Sequence, residues 1–162
     1  MMKAELKQLL PALRRFAYSL TGSMADADDL LQNTVLRLLN TPPAEGVPLP
    51  QWAFKICRNL WIDDYRAQKV RQQATRQVDL QQENFSDGEQ DMLNDIQLAE
   101  VNAAMNTLPD EQREVLSLVA VQGLSYQEAA TVLAIPAGTI MSRLARARVA
   151  MVGALKLNGG LA

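Results

Sequence analysis

The chain has 162 residues, 48% of them apolar and 21% charged, with 16 basic and 18 acidic side chains for a formal net charge of −2. That is enough apolar mass for one ordinary domain or two small ones, and no run approaches the ~18 apolar residues of a membrane span. There is no histidine and one cysteine, Cys57, which excludes an intrachain disulfide, Cys/His zinc sites and His-dependent triads. Carboxylate chemistry stays open, but no catalytic constellation stands out, so the chain reads as a non-enzyme without cofactor, metal or small-molecule substrate. Lys3, Glu5 and Lys7 interrupt any secretory core at the N-terminus, so a cytoplasmic protein without membrane insertion is expected.

In chain order the pattern is helical throughout, with no sustained period-two alternation. A first helix is expected over about 3–20, with Leu6, Leu9, Leu13, Phe16 and Leu20 as its stripe. Pro11 should bend it or mark its true start. After Thr21-Gly22-Ser23, a second helix over about 25–40 opens on Asp26, Asp28 and Asp29, acids that suit a helix N-terminus. Its stripe is Leu30, Leu31, Val35, Leu38 and Leu39. Thr41–Pro50, with four prolines and a glycine, reads as a loop. A third helix runs from about Gln51 to the low seventies on Trp52, Ile56, Leu60 and Trp61, tryptophans that suit core packing better than base stacking. Cys57 falls in the same apolar pattern as a small core residue.

Residues 72–92 are rich in Gln, Asp and Glu and poor in large apolar residues, a flexible acidic linker. It divides the all-α chain into two small helical domains, 1–71 and 93–157. In the second, Leu98, Val101, Met105 and Leu108 suit one helix. Pro109-Asp110 starts another, which carries Val115, Leu116 and Val119 and ends at Gly123, a residue suited to a helix C′ position. Ser125 and Glu128 form a capping box for a short helix to about Leu133. Ala134-Ile135-Pro136 turns the chain, with Pro136 as the first residue of a final helix to about Leu155.

A short and a long helix separated by three residues suggest a helix-turn-helix. At ~100° per residue from Ile140, Leu144, Ala147 and Met151 lie within about 40°, a buried stripe. Thr139, Ser142, Arg143 and Arg146 lie at about 200–300°. That outer face has hydroxyls and guanidiniums and no carboxylate, groups that reach base edges and phosphates. The helix N-terminus near Gly138 and Thr139 offers free N–H groups to a phosphate. Charge is segregated along the chain. Basic residues cluster at 55–76 and 137–156, while 77–114 holds ten acids and one base, Arg113. Such segregation matters more for polyanion binding than the total does.

These residues carry a resemblance. LPDEQREVL (108–116), GLSYQEAA (123–130) and IPAGTIMSRLARAR (135–148) resemble region 4 of bacterial extracytoplasmic-function sigma factors of the sigma-70 family. DADDLLQNTVLRL (26–38) is similar to the polymerase-binding helix of region 2 in that family, and WAFKICRNLWIDDYR (52–66) to its −10-reading helix. The resemblance implies binding of core RNA polymerase through the clamp of β′ and the flap of β, promoter-specific initiation, and control by an anti-sigma factor. It implies −35 contacts from Thr139, Ser142, Arg143 and Arg146, with Arg148 on the flank. It implies −10 contacts from Lys55, Arg58, Asn59, Asp63 and Arg66, and polymerase contacts from Asp26, Asp29, Leu30, Gln32 and Asn33. The Thr41–Pro50 loop would hold an unstacked base, offsetting part of the cost of opening DNA. Two other readings stay on the table. One is a sigma mimic that captures an anti-sigma factor without touching DNA; the other is a repressor dimerised through its N-terminal helices.

Overall fold

A computed structural model describes residues 2–66 and 99–157, with side chains of 2, 65, 66 and 157 outside that description. The proposed linker at 72–92 and Leu98 lie outside the described residues. Every described element is helical: α1 Met2–Thr21, α2 Met24–Asn40, α3 Leu49–Leu60, α4 at 99–106, α5 Asp110–Leu116, α6 Tyr126–Leu133 and α7 Ala137–Leu157. α3 and α5 each run on into a π-helical turn, Trp61–Arg66 and Ser117–Val121.

α1 passes through Pro11 without ending. Pro11 is exposed, and helices tolerate the lost N–H bond best where water can take the orphaned carbonyl. Leu6, Leu13, Phe16 and Leu20 are buried and Leu9 partly so. α2 is capped by Ser23, whose hydroxyl accepts from the Asp26 N–H. Its buried face is Ala27, Leu30, Thr34 and Leu38. Leu39 is 44% exposed, which corrects its place on the core stripe. Thr34 fits the core because its hydroxyl donates to the Leu30 carbonyl at 2.7 Å. α3 begins two residues earlier than expected, at Leu49, because Pro50 sits in the first turn, where a missing N–H costs nothing.

The edge of Phe16 meets Phe54 at 5.1 Å between ring centres, tying α1 to α3. Trp61 is buried, and the half-buried Trp52 donates its indole N–H to the Thr41 carbonyl at 3.1 Å. Cys57 is wholly buried. In the second half, Val115, Leu118, Val132, Ile140, Leu144 and Ala147 are buried where α5, α6 and α7 cross. Val101 is 40% exposed and lies off the core side of α4, where Ala104 and Met105 are buried instead.

The two halves share one continuous apolar core. α1 packs on the π turn that follows α5, and α3 packs on α6. Polar contacts line the seam. Arg113, 2% exposed, donates Nε–H to the Ser19 carbonyl at 2.7 Å and an Nη2 proton to Asn106 Oδ1 at 2.5 Å. Ser19 donates its single hydroxyl proton to the Phe16 carbonyl, so in its short contact with Ser117 the Ser117 hydroxyl is the donor. Asn102 Nδ2 donates to the Gly22 carbonyl at 3.0 Å.

Candidate nucleic-acid interface

The helix-turn-helix is built by local chemistry. Gly123 takes φ +77, which ends the helix before it, and the Leu124 N–H reaches back to the Leu118 carbonyl at 3.0 Å. Ser125 then caps α6: its hydroxyl accepts from the Glu128 N–H at 3.0 Å, and Glu128 Oε1 accepts from the Ser125 N–H at 2.9 Å. Ala134 adopts the left-handed conformation at φ 57, the tight point of the turn. The Pro136 carbonyl accepts the first bonds of α7, from Thr139 and Ile140. Pro136 is thus the N-cap of α7 rather than its first residue.

Along α7 the stripe Ile140, Leu144 and Ala147 is buried, with Met151 partly so. Ser142, Arg146 and Arg148 are exposed, and Thr139 and Arg143 are half-buried. Space beside Gly138 is open: a Cβ there would meet nothing within 4 Å. α7 itself contributes no carboxylate to this face, but α5 does. Glu111 Oε1 stands 3.9 Å from Arg143 Nε, and Arg143 also acts electrostatically on Glu114. Sequence pattern along one helix had no means of showing acids brought in by another.

On α3, Lys55, Arg58 and Asn59 are half-buried and Asp63 is exposed on the π turn; the Arg66 side chain lies outside the described residues. Arg58 and Asn59 are joined by a bond from Nη1 to Oδ1 at 3.2 Å. Arg58 is also clamped by Glu114 of α5, Nε to Oε1 at 2.8 Å and Nη2 to Oε2 at 3.3 Å. Burial pushes the Glu114 carboxyl above its usual range, and Arg58 only partly offsets this.

On α2, Asp26, Asp29, Gln32 and Asn33 are exposed. Loss of water and the neighbouring Asp29 raise the Asp26 carboxyl. Leu30 is 0% exposed, which corrects its placement on a docking surface: it holds α2 to the core instead. Leu36, 59% exposed, is an apolar residue on the outer side of α2 that the stripe did not single out. It lines a cleft with Asn33, Arg37, Leu60 and Asp64, so the outer side of α2 and the end of α3 form one surface. A second groove on the other half is lined mainly by apolar residues, Val101, Met105, Leu116, Val121, Met151 and Val152, with Arg148 beside them. Among the described residues no helix is long and apolar enough to cross a membrane.

Comparison with known proteins agrees with this geometry. Residues 6–71 match the family model for sigma-70 region 2, and residues 98–151 match that for sigma-70 region 4. The extracytoplasmic-function (ECF) RNA polymerase sigma factor EcfG of Rhodopseudomonas palustris is 36% identical over 160 residues, covering 98% of this chain and 87% of that protein. The sigma factor RpoE of Bartonella quintana, solved with the anti-sigma factor NepR, superposes with a TM-score of 0.74 at 31% identity, covering 96% of each chain. CnrH, solved with the cytosolic domain of CnrY, superposes with a TM-score of 0.71 at 25% identity, covering 96% of this chain and 87% of that one.

Proposed function

The chain belongs to the ECF RNA polymerase sigma factors, and from that membership we propose that it joins core RNA polymerase and carries it to promoters whose −35 and −10 elements its two basic helices read. Residues 1–71 then act as region 2 and 93–157 as region 4, joined by 72–92. The protein works by binding and not by catalysis.

The observation that carries this reading is the two-sided build of α7. Its apolar stripe is sealed into the core while Ser142 and Arg146 stand in solvent and Thr139 and Arg143 flank them. In a helix-turn-helix the second helix enters the major groove. There an arginine can bond guanine O6 and N7 together, and a hydroxyl can take a base edge or phosphate. The first turn of α7, open at Gly138, suits a backbone phosphate.

Region 2 supplies the second contact. Lys55, Arg58, Asn59, Asp63 and Arg66 approach the −10 element, and the loop before α3 holds a base out of the stack. Asp26, Asp29, Gln32 and Asn33 on α2 meet the clamp of β′, with Leu36 adding apolar area. The apolar groove beside α7 suits an apolar segment from the flap of β. An anti-sigma factor is the expected regulator, since the structural relative from Bartonella quintana was solved with the anti-sigma factor NepR.

Run-off transcription with purified core polymerase on genomic fragments tests the reading. Starts that depend on the protein and share −35 and −10 elements are expected. Core binding without starts would point to a factor that does not read DNA, and DNA binding without core binding would point to a repressor.

A further inference from the structure

Within its first two turns α7 carries one large apolar side chain that the core leaves in solvent, Met141, 49% exposed. At ~100° per residue from Ile140, the outer arc of the helix starts at Met141, ~100° round. It passes through Ala145 at ~140°, Gly138 at ~160°, Ser142 at ~200° and Arg146 at ~240°, and ends at Thr139, ~260° round. Met141 and Thr139 are thus its two flanks, and Met141 is the more exposed of the two. An α-helix with its side chains is ~10–12 Å across and the major groove ~12 Å wide. A helix seated there brings both flanks to the base edges along with its outermost line.

Neighbours leave Met141 clear. The residues one turn before and after it on the same side are Gly138 and Ala145, and a Cβ on Gly138 would meet nothing within 4 Å. The other exposed large apolar residues of α7 are Val149 and Val152. They lie ~12 and ~16 Å further along the axis, past the N-terminal residues with which a recognition helix contacts bases. A thioether is a weak acceptor and no donor, so Met141 adds little to a phosphate or a polar base edge. The apolar group that bases present in the major groove is the thymine 5-methyl, which an apolar side chain can cover. Three rotatable bonds let methionine fit itself to such a group.

We infer that Met141 packs on a thymine methyl in the −35 element and sets promoter preference at one A·T pair beside the bases that Ser142 and Arg146 bond. The inference rests on the proposed seating of α7 in the −35 major groove.

The test uses the full chain assembled with core polymerase, on a promoter recovered by transcript mapping. Each thymine of its −35 element, on either strand, is replaced in turn by deoxyuridine, which removes the methyl and nothing else. At one position the wild type should bind about fourfold more weakly, the worth of one buried methyl group. Met141→Ala should weaken binding to the unmodified promoter by at least about that factor. It should also abolish the deoxyuridine effect at that position, as a double-mutant cycle requires of groups in contact. Met141→Leu should keep part of the discrimination, and Met141→Gln, similar in length but polar, should lose it. Met141 is exposed, so these changes leave the fold intact. A deoxyuridine effect that persists in Met141→Ala would overturn the methyl contact. So would the lack of any effect at every −35 thymine while Arg146→Ala still weakens binding, which leaves the seating of α7 standing. Indifference to Arg146→Ala as well as to every deoxyuridine would overturn both.

Discussion

Replacing Arg146 and Arg143 one at a time by alanine should separate two arginines that look alike in sequence. Both sit on the outer face of α7, and an arginine that reads a base is worth about 1–3 kcal/mol, roughly 5- to 150-fold in affinity. Arg146 is exposed, so its loss should show the full effect. Arg143 must first leave Glu111, 3.9 Å away. A pair of which one partner is 69% exposed is worth at most about 1 kcal/mol. Arg143→Ala should therefore cost up to about fivefold less than Arg146→Ala. Glu111→Gln should tighten binding by up to the same factor. The assay is fluorescence anisotropy on a −35 duplex across a salt series. An arginine that touches only phosphate should lower the salt slope by about one without changing selectivity between sequences. Affinity and selectivity unchanged in both variants would refute the assignment of this face.

Four further outcomes follow from the packing. Leu144, 1% exposed, anchors α7; Leu144→Ala should cost about 3–5 kcal/mol in urea unfolding and weaken DNA binding with it. Ser125→Ala removes the cap of α6 and should cost about 1 kcal/mol by the same measurement. Burial pushes the Cys57 thiol up to about 12, so at neutral pH it should resist alkylation until the chain unfolds. A thiol that reacts in the native protein would contradict that burial.

The fourth concerns pH. The Glu114 carboxyl is raised in the folded chain, first by burial and against the pull of Arg58 and Arg143, with Asp110 adding to the rise. A raised carboxyl binds its proton more tightly when folded. Its contribution is therefore fully present below the unfolded value of ~4.3 and is lost as pH rises through the folded value. The stability difference between wild type and Glu114→Gln should shift in that direction over the window. A difference that is flat with pH, or of opposite slope, would contradict it.

The helix-turn-helix was legible because its determinants are local. A serine and a glutamate three residues apart, a glycine, a proline and one apolar stripe each act within a turn or two of the chain. The seam between the halves was not. In the sequence Arg113 and Glu114 stand only among the charges of 77–114, and only a fold that brings α1 and α3 against α5 buries them. The same limit explains Leu39 and Val101: periodicity marks a stripe, but how wide a stripe is covered depends on neighbours far along the chain. Leu30 fell the other way: the resemblance implied a polymerase contact for a residue that its own apolar stripe already turned inward. The π turns after α3 and α5 left no pattern in the sequence at all.

The most direct test of the central claim is protein-dependent initiation by purified core RNA polymerase, with transcript 5′ ends mapped on genomic DNA for the wild type and for Arg146→Ala. Starts that share upstream elements in the wild type, and fall or move in the variant, are the predicted result. Core polymerase that binds the protein yet starts no transcripts, or starts that ignore the Arg146 change and every other change on the outer face of α7, would contradict the account.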